Sequence, residues 1–154
     1  MFILDVDRVL RNYKVNYAIG GGYAVALHGV VRGTVDIDII IQLNKSSMVN
    51  AEKALKELGL ESKLPVNAEE VFNFRKEYIK NKNMLAWNFT NPQNPADSVD
   101  ILITEDVKDY KIKNIKIEGQ NLKVISIDDL IKLKGKSPRP QDIEDVKALR
   151  MVKK

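Results

Sequence analysis

An apolar run from Val15 to Ile19 ends on three consecutive glycines, Gly20, Gly21 and Gly22. Fourteen residues past the last of them comes Asp36-Ile37-Asp38, inside a second run dominated by Ile and Val. A strand that runs into glycines can turn sharply and let another group approach its backbone. The next β-type run then carries two acids at strand spacing, about 6.6 Å apart along the chain and on one face. Val35, Ile37 and Ile39 are left to face a core. Aspartate is disfavoured in strands, and neighbouring carboxylates repel, so one is driven toward protonation unless a cation neutralises the pair. A divalent metal beside a phosphate-binding turn resolves that conflict, because magnesium takes oxygen ligands and shares substrate phosphates; the alternative is a strand with an exposed polar face near its end.

Asp100 repeats the pattern. It is a lone acid in Ser98-Val99-Asp100-Ile101-Leu102-Ile103, and an acid in such a run needs a partner. On a strand beside the first it completes a three-carboxylate cluster of the kind used in two-metal phosphoryl chemistry, where the ions lie about 3.5–4 Å apart. The alternative is a salt bridge to a lysine. The glycines alone fit a tight turn as well as a phosphate cradle. Neither a Walker sequence nor Gly-x-Gly-x-x-Gly is present. Arg32 and Thr34 precede the acidic strand, and Arg32 either neutralises the carboxylates, touches phosphate or lies on the surface. His28, the sole histidine, fits a capping or packing role at a helix end, and a two-metal site needs no imidazole base.

The remaining pattern is α+β. Helices are predicted over Leu4–Asn12, Tyr23–His28, Val49–Leu58 (capped by Ser46 or Ser47), Glu69–Lys80, the stretch after Ser126, and the stretch after Pro140, where Ile143, Val146 and Leu149 form one stripe. Strands are predicted over Val15–Ile19, Val35–Gln42, Met84–Phe89 and Val99–Ile103, with a hairpin of Lys111–Ile117 and Leu122–Ile125 around Gly119. Asn91–Pro95 reads as a loop. Trp87 and Phe89 belong to a core or an interface. The 154 residues are expected to form one domain, 1–154. With no cysteine, disulfides, thiolate zinc sites and a cysteine nucleophile are excluded. No run is long enough to span a bilayer and the start does not read as a signal peptide, so no membrane partner and a cytoplasmic location are expected. The net charge of +4 lies wholly in residues 101–154, which hold 13 basic and 9 acidic side chains. That excess is either a solvated lysine-rich surface or an attraction for a polyanion.

Taken together, Gly21-Gly22-Tyr23-Ala24, His28-Gly29, Arg32, Thr34, Asp36-Ile37-Asp38 and the later Asp100 resemble the DNA polymerase β-like nucleotidyltransferase superfamily. The likeness is greatest to small stand-alone members related to AbiEii-type toxins. Leu130-Ile131-Lys132-Leu133-Lys134 and Arg139-Pro140-Gln141-Asp142-Ile143-Glu144-Asp145 resemble that group's closing motif. The resemblance implies a minimal nucleotidyltransferase fold, a small mixed sheet backed by helices. It implies that Gly21, Gly22, Arg32 and Lys134 meet a nucleoside triphosphate, and that Asp36, Asp38 and Asp100 bind two Mg2+ ions and, with Lys134, carry catalysis. Asp142 and Asp145 are either auxiliary to the site or simply favourable near a helix N-terminus. The implied reaction moves a nucleoside monophosphate from an NTP to a hydroxyl of tRNA, a protein or a small molecule. The rival from another class is a non-catalytic module binding nucleotide or a partner protein in a toxin–antitoxin pair. A base-stacking RNA platform is disfavoured by the few, scattered aromatics.

Overall fold

The computed structural model describes residues 1–33 and 36–153. Thr34 and Val35, to which the acidic-strand motif assigned positions, lie outside the described residues. Helix α1 (Phe2–Asn12) is followed by β1 (Tyr17–Gly20), α2 (Gly21–Leu27), β2 (Ile37–Ile41), α3 (Lys45–Glu57) and β3 (Glu61–Ser62). Then come α4 (Ala68–Asn73), α5 (Arg75–Lys82), β4 (Ala86–Asn91), β5 (Asn94–Leu102), β6 (Ile112–Ile117), β7 (Gln120–Ile125), α6 (Ile127–Gly135) and α7 (Pro140–Lys153). The strands form one mixed sheet in the order β3-β4-β5-β2-β1-β7-β6. β1 runs antiparallel to β2, and β2 runs parallel to β5, as β1 does to β7. This is the expected α+β architecture, with helices packed on a mixed sheet.

The register places the chemistry. Gly20 of β1 pairs with Asp38 of β2, Asp38 with Asp100 of β5, and Asp100 with Asn88 of β4. Because in-register neighbours share a face, these four side-chain positions form one row across the sheet. The alternate positions, Ile37, Ile39, Val99, Ile101, Trp87 and Phe89, occupy the opposite face and are fully buried. Trp87 and Phe89, with ring centroids 4.5 Å apart, are therefore core. Trp87 places its indole N–H on Ser62 Oγ at 2.9 Å. Helices α2, α6 and α7 pack together, while α1, α3 and α4 pack one against the next.

Several local expectations are corrected. Helix α2 begins at Gly21, so two of the three glycines form its first turn. Asn44, not a serine, caps α3, its Oδ1 accepting from Ser47 N at 2.7 Å. The single helix expected over Glu69–Lys80 is two. Asn67 and Glu70 start α4 with a reciprocal capping box, and the backbone breaks at Phe74. Strand β5 starts at Asn94, so only Pro92 and Gln93 make the turn. Pro95 is tolerated there because the β4–β5 register shifts beyond Thr90 and pairing with β2 begins only at Val99. The apolar stripe on α7 does not form as expected: Ile143 is 46% exposed, and the buried face is Asp142, Asp145 and Leu149.

A polar knot ties α1 to the sheet. Asp7 is 1% exposed. It accepts from the Tyr17 hydroxyl, from Arg11 at 2.7 Å and from the Gln120 amide at 2.7 Å. Burial, and then the bond to Asp7, raise the Tyr17 pKa far above its ordinary value. Asp7→Ala strands the buried Tyr17 hydroxyl at a cost of about 1–3 kcal/mol, while the Gln120 amide keeps the Leu4 carbonyl at 3.0 Å. Urea denaturation is expected to show that loss; a change under about 1 kcal/mol would contradict the assignment.

Candidate active site

Asp38 and Asp100 of the in-register sheet row lie on the floor of a cleft of about 900 Å³. Gly21, Gly22, Arg32 and Asp36 line it from the α2 side, Leu130, Leu133, Lys134, Arg139 and Asp142 from the α6–α7 side, and Leu85, Leu102, Thr104 and Glu105 from where β4 begins and β5 ends. The structure thus brings all the expected site residues to one cleft, although they come from four separate stretches of sequence. His28 lies elsewhere. It ends α2 and its Nε2 donates to the Ile125 carbonyl at 2.7 Å, which is the packing role. Burial lowers its pKa.

The glycines are demanded by contact. Gly21 has φ of +58°, and a Cβ there would lie 1.8 Å from Asp38 Oδ2. A Cβ on Gly22 would lie 2.0 Å from Arg32 Nη1. The turn therefore holds the Asp38 carboxylate and the Arg32 guanidinium directly against its backbone. Gly21→Ala combines left-handed strain, about 1–3 kcal/mol, with a clash that displaces Asp38. It is expected to lose stability in urea denaturation, whereas Gly33→Ala, where a Cβ meets nothing within 4 Å, serves as the tolerant control. Equal behaviour of the two would refute the contact argument.

Asp38 is pushed up to about 6, first by burial and then by the negative charges of Asp100 and Asp36; Lys134 opposes the rise and a hydrogen bond with Asp100 adds to it. Asp36 sits at a bend just before β2 and is exposed, not in the strand beside Asp38 as expected. Among the described residues, no three His, Asp or Glu side chains are gathered tightly enough to hold an ion by themselves. The three acids are therefore not a closed metal centre. What they offer is hard oxygen donors, a set that fits magnesium only when phosphate oxygens and water supply the rest.

Across the cleft the charges are reversed and fully paired. Lys134, 8% exposed, lies 3.0 Å from Asp142 Oδ1 and 2.9 Å from Asp145 Oδ2. The second contact is an ion pair without hydrogen-bond alignment. Arg32 Nε donates to Asp145 at 2.8 Å and Arg139 Nε to Asp142 at 2.7 Å. Burial would raise both aspartates, but the donors and cations around them outweigh it and lower both, Asp142 the further: Arg139, Ser137 and Lys134 act on Asp142, and Lys134, Arg32 and Gln141 on Asp145. Asp142 and Asp145 thus hold three cations in place at the cleft wall.

Asn88 had no place in the sequence-based site. Its Nδ2 donates to Asp100 Oδ1 at 2.6 Å and to Ser98 Oγ at 2.9 Å, and Thr90 Oγ1 donates to its Oδ1 at 2.7 Å. Asp100 is partnered by this amide, not by the lysine considered as its alternative. The signal was the alternation Trp87-Asn88-Phe89-Thr90, which sets two polar residues on the face opposite the aromatics.

Solved structures share this fold. The lincosamide antibiotic adenylyltransferase LnuA, solved with lincomycin, superposes with a TM-score of 0.65 at 15% identity, over 98% of this chain and 96% of that one. The antibiotic-resistance factor ANT(2'')-Ia gives 0.63 at 13% identity, over 96% and 80%. An antigenic nucleotidyltransferase-like protein from Paracoccidioides brasiliensis gives 0.59 at 17% identity, over 96% and 72%. The fold is that of nucleotidyltransferases. By sequence, residues 2–149 match the Aminoglycoside-2''-adenylyltransferase family, and the chain belongs to it. No curated protein matches the sequence.

The raised Asp38 pKa sets a pH dependence. The folded state binds this proton more tightly than the unfolded state, whose aspartates titrate near about 3.9, so stability falls as pH rises from there through about 6. Without divalent ions, Asp38→Asn is expected to melt above wild type at about pH 8, the gap closing below about pH 4. Parallel melting curves across that range would contradict the assignment.

Proposed function

We propose that this protein transfers a nucleoside monophosphate from an NTP to a hydroxyl of a small molecule, releasing pyrophosphate. The observation that carries this is the in-register pair Asp38 and Asp100 beside the Gly21–Gly22 backbone, in a chain of an adenylyltransferase family. The family's description favours ATP as donor. It also favours a small hydroxylated acceptor over tRNA or a protein, and LnuA and ANT(2'')-Ia both bear names tied to antibiotics.

Gly21 and Gly22 offer bare backbone to the polyphosphate. Arg32, whose Nε is engaged by Asp145, keeps its terminal nitrogens against Gly22. Arg32, Lys134 and Arg139 exceed Asp142 and Asp145 by one charge and are pinned by them, so that wall presents fixed donors that need little reorganisation as negative charge builds on the reacting phosphate. Asp36, Asp38 and Asp100 would hold two Mg2+ ions together with the triphosphate, and bound magnesium would lower the acceptor hydroxyl's pKa and offset charge on the leaving pyrophosphate. Asp100 takes the hydroxyl proton. The acids and cations otherwise act by positioning, as in phosphoryl transfer generally. Among the described residues no helix is long and apolar enough to cross a membrane, and we place the reaction in the cytoplasm, where ATP and magnesium are supplied.

The test is pyrophosphate release from labelled NTPs with magnesium, over a panel of aminoglycosides, lincosamides and other hydroxylated small molecules, with tRNA as a further acceptor. Asp36→Asn, Asp38→Asn and Asp100→Asn are each expected to lower turnover by at least about a hundredfold while circular dichroism stays native. Full activity in any of the three would refute the site. Triphosphate binding without pyrophosphate release on every acceptor would favour the non-catalytic, toxin–antitoxin alternative.

A further inference from the structure

The Asn88 amide lies on the same sheet row as the two central carboxylates and has every hydrogen-bonding group assigned. An ionised carboxylate only accepts, so the amide nitrogen must face Asp100 and the amide oxygen must face away. Thr90 occupies that oxygen, and Ser98 takes the second N–H. The 2.6 Å bond to Asp100 Oδ1 is short and charge-assisted. It restrains the Asp100 carboxylate from the β4 side, with Asp38 on the other side, and it leaves Oδ2 untouched by Asn88.

We infer that Asn88 is a positioning residue for Asp100, and that Thr90 in turn orients Asn88. This rests on the nucleotidyl-transfer function proposed above. Asp100 must present one oxygen to the acceptor hydroxyl and its ion while lying beside a like-charged neighbour at the same register. Repulsion from Asp38 favours turning the carboxylate away. Asn88 opposes that turn from the β4 side, so the oxygen that takes the proton stays over the cleft. A chain of purely structural polar pairs has no need to end on the one carboxylate that pairs with Asp38.

The experiment compares wild type, Asn88→Leu, Thr90→Val, Thr90→Ser and Asp100→Asn by three readouts: steady-state kinetics, melting temperature, and Mn2+ affinity by electron paramagnetic resonance with a non-hydrolysable triphosphate. Phe89→Leu, on the opposite face of the same strand, controls for lost stability. Asn88→Leu is expected to lower kcat by about 10- to 100-fold and to weaken Mn2+ binding by about tenfold. KM for the triphosphate is expected to stay within about threefold, because the amide acts on the reacting carboxylate and not on uniform binding. Thr90→Val is expected to move kcat in the same direction by about threefold or more, and Thr90→Ser to restore it.

Unchanged kcat and Mn2+ affinity in a folded Asn88→Leu would overturn the inference, as would an equal kcat loss in Phe89→Leu at matched melting temperature. If Asn88→Leu does not fold, the Thr90 pair decides: equal activity of Val and Ser overturns it. Wild-type turnover that falls in Asp100→Asn but not in the Asn88 and Thr90 variants would sink this inference alone. Full activity in Asp100→Asn, or no turnover by wild type, would sink the proposed function and this inference with it.

Discussion

Two aspartates held at the same register on parallel neighbouring strands are the constraint around which the cleft is arranged. Asp38 and Asp100 cannot separate without breaking the β2–β5 ladder, so their repulsion is built into the sheet. The surroundings are specialised to tolerate it. Asn88 stabilises one oxygen of Asp100, and Gly21 yields the space that a side chain would deny to Asp38. Burial first, and then the remaining repulsion, raise the affinity of Asp38 for a proton, which a cation can replace. Stability comes from the other face of the same strands, where Ile37, Ile39, Val99 and Ile101 are fully buried. At about 1.5–3 kcal/mol for each buried aliphatic side chain, that face readily outweighs one repulsive pair. Alternation around Asp38 and Asp100 thus lets one strand serve a dry core and a charged site at once.

That same pattern explains what was legible in the sequence. Asp36, Asp38 and Asp100 stood out because each is an acid in an apolar β-type run, and the glycines because they end one. Their meeting in one cleft followed from the family likeness, and the register shows why it happens. Asp36 fell short of the strand because periodicity says nothing about where the ladder stops. Asn88 was missed because an asparagine between Trp87 and Phe89 looks like any solvent-facing strand residue until its partner strand is known. On α7, Ile143, Val146 and Leu149 satisfied a helical stripe, yet the buried face carries Asp142 and Asp145. Hydrophobic periodicity cannot register a buried face made of carboxylates, because their burial depends on cations: Arg139 just ahead of the helix, and Lys134 and Arg32 from outside it.

The cleft keeps its two sets of charge apart, and the separation follows from who is paired with whom. Lys134 sits close enough to Asp38 to lower its pKa, yet its ammonium is committed to Asp142 and Asp145. Were those two aspartates absent, the lysine would be drawn toward Asp38 and Asp100 and would neutralise them directly. Such a salt bridge would offset part of the negative charge that a substrate's cation could otherwise meet. Breaking a buried pair by removing one partner is costly, about 3–5 kcal/mol, so the α6–α7 network is resistant to rearrangement. Its cations stay on one wall and the carboxylates stay undercompensated on the floor. A magnesium-bearing polyphosphate has the complementary arrangement, with anionic oxygens for the wall and a divalent ion for the floor. The acids on α7 therefore contribute to function by what they withhold, since occupying Lys134 keeps Asp38 and Asp100 available.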